Sequence, residues 1–216
     1  MAREKDGYRE NLELFEHCGV KIRTFSPLHD AYLPAHTNGI LLGGGYPENY
    51  LEQLSGNTSM LVSIRDAIER GIPSLAECGG FMYLHRMVKA PDGTPYPMVG
   101  VIDGECYYAG HLVRFGYMMI DRVRKPFDSD PLAKSLAGMR GHEFHYYEST
   151  AGADACIAVK PDRNRSWDCI IAKNNGIWGF PHLYYRSAPS FVPAFIAKMN
   201  HGDGVRGSFP ASSYAP

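Results

Sequence analysis

The chain has 216 residues, 22 Lys and Arg against 23 Asp and Glu, and a formal net charge of −1. It is long enough to bury a full core, and its balanced charge offers no field that would gather nucleic acid or an anionic membrane. The sequence has no apolar run long enough to span a bilayer and no signal-peptide core, and its five cysteines (Cys18, Cys78, Cys106, Cys156, Cys169) form no CxxC pair. A membrane protein, a disulfide framework and a structural zinc site are therefore not expected, and a reducing, cytoplasmic setting is.

The first element is a helix in "GYRENLELFEHCG": Tyr8, Leu12 and Phe15 fall on one face, and Gly19 stands where the helix should stop. "VKIRTF" (20–25) reads as a strand and "SPLHDAYLPAH" as a proline-broken loop. "GILL" (39–42) is a short buried strand running into "GGGYPE". A second helix follows in "TSMLVSIRDAIERG", with Leu61, Ile64 and Ile68 on its apolar face, Asn57 or Thr58 as N-cap and Gly71 as stop. "IPSLAE" (72–77) is the next strand, then Cys78 and a helix over 79–88. Strand-like pieces fill the second half: "MVGVI", "HLVRFGYMMIDRV", "GHEFHYYES", "DACIAVK", "WDCIIAK" and "GIWGF". A last helix lies in "APSFVPAFIAKM", and a Gly/Ser/Pro-rich tail covers 201–216. Alternation of helix and strand in the first half predicts an α/β domain with a parallel sheet, and no linker divides residues 1–200. Only "MARE" precedes the first helix, so the strand that normally opens such a domain is expected to be truncated or absent.

Chemistry concentrates at "AECGG". A cysteine between strand and helix is pushed into the open above the sheet, glycines let the turn form, and the helix N-terminus favours thiolate. A small buried residue at a tight turn would look the same locally. "LLGGGYPE" ends a strand at the same edge, so the backbone N–H of Gly44 or Gly45, with that of Gly79, is placed to meet an oxyanion. The glycines fit neither GxGxxG nor a Walker A loop. A thiol also benefits from a histidine base; of nine histidines, His142 and His145 in "GHEFHYYE" and His182 in "GFPHLYYR" stand out. On a strand, His142, Phe144 and Tyr146 would share one face and Glu143, His145 and Tyr147 the other, so "HEFH" is not the i, i+4 zinc helix, and no metal is expected.

Together "FSPLHD", "LGGGYPE", "AECGGFMYL", "FGY", "GHEFHYYE" and "HLYY", in this order, resemble the glutamine amidotransferase domain of the cobyrinic acid a,c-diamide synthases, within the class I (triad-type) amidotransferases. The resemblance extends over residues 2–199. It implies a flavodoxin-like, three-layer α/β fold with an open, mainly parallel sheet. It further implies glutamine hydrolysis through a thioester on Cys78, His182 as general base and acid, and Gly44, Gly45 and Gly79 at the oxyanion. Tyr46, Glu48, His142, Glu143 and His145 are implied to lie near the substrate or at an interface. No cofactor is expected on this chain; ATP and Mg2+ belong to a synthetase domain that precedes the amidotransferase domain in that family and is not in this sequence. The implied partners are glutamine and that synthetase. Two departures stand out. The family's His-x-Glu is His182-Leu183-Tyr184 here, and Gly179-Phe180-Pro181 replaces the Ser-Tyr that leads into the histidine. Two other readings keep the same motifs: an interaction module silent without its synthetase, and a cysteine hydrolase or redox sensor acting on something else.

Overall fold

A computed structural model describes residues 2–162 and 164–201, with side chains from residue 8 to residue 200. In chain order the elements are α1 (Ala2–His17), β1 (Ile40–Leu42), a 3-10 turn at Pro47–Asn49, α2 (Leu51–Gly56), α3 (Thr58–Glu69), β2 (Ser74–Glu77), α4 (Gly79–Leu84), β3 (His85–Lys89), β4 (Pro95–Pro97), β5 (Ile102–Tyr108) and β6 (Arg114–Val123). They continue with α5 (Pro131–Lys134), β7 (Arg140–His145), β8 (Tyr147–Ser149), β9 (Cys156–Val159), β10 (Ser166–Cys169), β11 (Ile171–Lys173), β12 (Gly176–Gly179), β13 (His182–Tyr184) and α6 (Phe191–His201). Residues 202–216 of the expected tail lie outside the described residues.

The glycine stops work as the sequence implies. Gly19 (φ +83°) ends α1, with Val20 N–H donating to Phe15 O at 3.1 Å and Gly19 N–H to Glu16 O at 2.9 Å. Gly71 (φ +92°) closes α3 in the same way, and Asn57 caps its start by accepting from Met60 N–H.

The central sheet has the order β1-β2-β12-β11, parallel except for β11 at one edge. Its side chains alternate between two cores. Ile40, Leu42, Ala76 and Trp178 face α2, α3 and α4, while Leu75 and Ile177 face α1, α5 and α6. Period-two alternation with apolar residues on both faces is what a sheet covered by helices on each side requires. Two further sheets extend this three-layer unit: an antiparallel one, β10-β9-β6-β7-β13, and a mixed one, β4-β3-β5-β8.

Three expectations are corrected. Residues 20–25 form no strand. Val20 and Ile22 pack on one core and Phe25 on the other without entering a ladder, so apolar content alone misleads there. The helix after Cys78 stops at Leu84, not 88. His85 turns to extended backbone (φ −67°, ψ 165°), its Nδ1 lies 2.9 Å from Phe81 O on the last turn, and β3 begins. "WDCIIAK" is not one strand: Ile170 at φ +67° breaks it, sending β10 into the antiparallel sheet and β11 to the edge of the central one.

Candidate active site

β2 and β12 are neighbouring parallel strands with Glu77 paired to Gly179. Cys78, the next residue, has φ +49° and ψ −106°, a backbone conformation L-residues rarely adopt. It is held there from both sides: its N–H donates to Gly179 O at 2.9 Å, and its carbonyl accepts from Met82 N–H at 2.9 Å. Strand ladder and helix thus fix a sharp turn at one residue, the geometry that presents a nucleophile at the carboxyl end of a sheet. Cys78 is 7% exposed.

Close glycine packing makes the turn possible. Gly80 N–H donates to Gly43 O at 3.0 Å, and a Cβ on Gly80 would stand 2.3 Å from Leu42 O. A Cβ on Gly79 would stand 2.8 Å from Gly45 O and 3.0 Å from Gly45 N. The 43–45 loop and the nucleophile turn therefore meet backbone to backbone, with no room for a side chain.

His182 opens β13, paired with His142 on β7. A Cβ on Gly44 would fall 2.3 Å from His182 Cε1, so the imidazole lies directly on the glycine loop. Its ring stacks on His142 with centroids 4.8 Å apart and planes 7° from parallel. Burial first, then the neighbouring His142 and His145, lower the His182 pKa to about 4. The ring is an unprotonated base at neutral pH.

Cys78, Gly44, Gly45, Gly79 and His182, expected at the site, thus converge at the carboxyl edge of β1, β2 and β12. The other expected residues divide. Tyr46 is exposed and Glu48 half-buried on the segment leaving the glycine loop; burial raises the Glu48 carboxyl, partly offset by its own backbone N–H. Beyond it, the hydroxyls of Tyr83 and Tyr147 are buried without a hydrogen-bond partner among the described residues. The alternation expected for "GHEFHYYE" holds: His142, Phe144 and Tyr146 are exposed, and Glu143, His145 and Tyr147 are buried. Of the residues expected near the substrate or at an interface, Glu143 and His145 therefore stand inside the protein and not on its surface. They are 3% and 7% exposed, and His145 Nδ1 donates to Tyr147 O at 2.8 Å while Nε2 lies 3.1 Å from Glu143 Oε2. Trp167 Nε1–H donates to Glu143 Oε1 at 2.9 Å. Both nitrogens of His145 being engaged, it braces the sheet rather than serving Cys78.

Sequence reading passed over four residues. Glu77, directly before Cys78, is 4% exposed. Tyr185 O–H donates to its Oε1 at 2.7 Å, and the Leu183 N–H donates to the same carboxyl. Asn11 of α1 holds the same stretch, its Nδ2 donating to Leu183 O at 2.7 Å and its Oδ1 accepting from Tyr185 N–H at 3.0 Å. Tyr8 packs against the glycine loop, where a Cβ on Gly43 would meet its hydroxyl at 2.5 Å. The available signal was one acidic residue ending an otherwise apolar strand.

A cavity of about 370 Å³ bordered by Gly71, Asp130 and Asn175 lies at the amino end of the central strands, away from Cys78. Another of about 280 Å³ is lined by Glu143, His145, Trp167, Gly179 and Phe180. Among the described residues no three His, Cys, Asp or Glu side chains gather into a metal-holding group, and no helix is long and apolar enough to cross a membrane.

Comparison with known proteins agrees with this geometry. Residues 6–187 match the CobB/CobQ-like glutamine amidotransferase domain. The chain is 38% identical over 195 residues to a cobyrinate a,c-diamide synthase of Caldanaerobacter subterraneus subsp. tengcongensis, covering 89% of this chain and 42% of that protein. It is also 38% identical over 190 residues to one from Fusobacterium nucleatum, covering 86% and 40%. It therefore spans about two fifths of the length of these relatives. A crystal structure of a glutamine amidotransferase superposes with TM-score 0.58 at 13% identity, over 89% of this chain and 94% of that one, a likeness of fold. With a nucleophile turn, a glycine loop and a histidine assembled at one sheet edge, and a match that runs through nearly all of it, the chain belongs to the CobB/CobQ-like glutamine amidotransferase domain family.

Proposed function

We propose that this chain hydrolyses glutamine and is the ammonia-supplying part of a cobyrinate a,c-diamide synthase. The observation that carries the reading is Cys78 at φ +49° between a parallel strand and a helix, with the unprotonated ring of His182 against the facing glycine loop. His182 accepts the Cys78 proton, and the sulfur attacks the side-chain amide carbon of glutamine. The N–H groups of Gly45 and Gly79, on segments in backbone contact, meet the oxyanion. The C–N bond then breaks, His182 returns its proton to the leaving nitrogen, and ammonia departs from a γ-glutamyl thioester. Water, deprotonated by His182, hydrolyses the thioester to glutamate and restores the thiol.

The names of the relatives, cobyrinate a,c-diamide synthases, support delivery of that ammonia to a synthetase that amidates cobyrinate; that synthetase is proposed to use ATP and Mg2+ on corrin-ring carboxylates in cobalamin biosynthesis. That synthetase is the proposed partner. The reducing cytoplasm is the proposed setting, in keeping with five cysteines that form no disulfide.

The test is intact mass after incubation with a diazoketone analogue of glutamine. One adduct on wild type, blocked by glutamine and absent from Cys78→Ser, is the expected result. An adduct retained in Cys78→Ser sinks the assignment of the nucleophile. Labelling that glutamine does not block leaves Cys78 reactive but favours a hydrolase or redox sensor with another substrate.

A further inference from the structure

The histidine of this site has no carboxylate at its own strand position to hold it: Tyr184, two residues on, is 41% exposed. β13 is also an edge strand, paired on one side with β7 alone. An unpaired edge leaves backbone groups to be satisfied and a short strand free to shift.

We propose that Glu77 is the positioning residue for His182, acting from the neighbouring strand through the backbone of Leu183 and the hydroxyl of Tyr185. On the open side of β13, Glu77 accepts from the Leu183 N–H and the Tyr185 O–H. Asn11 takes the Leu183 carbonyl and the Tyr185 N–H. Two side chains thus stand where a further strand would otherwise pair. Glu77 is covalently joined to Cys78, so one buried carboxyl ties the nucleophile turn to the strand that carries the base. The path is short: Cys78, Glu77, Leu183, His182. Burial lifts the Glu77 carboxyl to about 8, against the opposing pull of Tyr185 and Leu183. At neutral pH it is therefore chiefly a neutral acid, which can hold both donors without a buried charge. Tyr8, whose own phenol is raised by burial and by Glu77, packs beside this carboxyl and against Gly43. The glycine loop, the nucleophile and the base thereby share one buried anchor.

The inference rests on the glutaminase reading, and its test separates the two. Inactivation of the full chain by the diazoketone analogue is measured at saturation, giving a maximal rate kinact and a half-saturating concentration KI. The variants are Glu77→Ala, Glu77→Gln, His182→Ala and the double variant Glu77→Ala with His182→Ala. Glu77→Ala is expected to lower kinact about 10–100-fold with KI within about threefold of wild type, because the analogue still binds while the base is misplaced. The double variant should be no slower than about threefold below His182→Ala alone, since a residue acting only through His182 has nothing left to act on. Glu77→Gln, which keeps an acceptor in place, should recover most of the rate. Should Glu77→Ala fail to fold, Tyr185→Phe, which removes one of the two donors, is expected to lower kinact about 3–10-fold. A kinact for Glu77→Ala within about twofold of wild type overturns the inference, as does a double variant whose loss is the product of the two single losses. Labelling that glutamine does not block overturns the glutaminase reading itself; wild-type kinetics in His182→Ala remove His182 as the base and overturn the inference with it, and loss in His182→Ala with none in Glu77→Ala overturns only the role given to Glu77.

Discussion

Gly44 sets how closely the glycine loop approaches the proposed base, His182. The space a methyl would occupy is taken by the His182 ring, with Cε1 at 2.3 Å. Gly44→Ala should push the imidazole aside and lower the rate of Cys78 labelling by the glutamine analogue at least about tenfold, by a misplacement of about an ångström. Its melting temperature should change little, because a half-buried ring can move where backbone cannot. Gly56→Ala, at a glycine with open space around it, is the control and should label at the wild-type rate. Equal rates for the two variants would remove His182 from the loop. Of these residues, Cys78 was legible in the sequence as a cysteine at a strand-to-helix turn, a pattern that a small buried residue shares, and the glycine loop and the family resemblance singled it out. Glu77 was not: whether an acidic strand residue is solvated or buried depends on what lies above it. Here Asn11 and Tyr185, 66 positions before and 108 after Glu77 in the chain, bring that environment.

Among the elements, α4 and β1 show the tightest dependence on one small residue. A Cβ on Gly80 would meet Leu42 O at 2.3 Å and Leu42 C at 2.6 Å, backbone atoms that cannot rotate away. Gly80→Ala is expected to destabilise the fold by about 1–3 kcal/mol or more, through separation of the helix from the strand end. Urea unfolding checks it: an unchanged midpoint would mean that the contact yields at no cost. Helices α1 and α3 were readable from their apolar faces and glycine stops because those signals are local. The fate of 20–25 and the division at Ile170 were not. An apolar run states that it will be buried, not in which ladder. At Ile170 the chain accepts φ +67°, against the preference of a β-branched residue, so that β10 and β11 can serve two sheets.

For the whole molecule, buried titratable groups set the pH dependence of stability. Glu77 holds its proton more tightly when folded, about 8 against 4.5. Its contribution is therefore complete below pH 4.5 and is lost as pH rises toward 8. His85 and His182 behave oppositely, with folded values of about 4 against 6.5, so they cost stability as pH falls from 6.5 toward 4. The two effects oppose one another between pH 4.5 and 6.5. Above that only Glu77, of the three, still titrates in the folded protein. Stability should fall between pH 6.5 and 8, by up to about 1.4 kcal/mol per pH unit, and the slope should flatten in Glu77→Gln. A melting temperature that is level across this range in wild type would show that Glu77 ionises without burial cost.

The α/β character, the strand-then-glycine turn at Cys78 and the glycine loop at the same sheet edge were all readable from the order of residues alone. These follow from periodicity and backbone freedom, which are properties of neighbouring residues. The sequence also placed His182 among three candidate histidines, and a family resemblance singled it out. Folding was needed to bring His182 onto Gly44, to engage His145 on both nitrogens, and to set Glu77 against the edge of β13. Each of these is a contact between segments far apart in the chain, and its chemistry arises from burial and unpaired backbone at one place, which no stretch of sequence contains.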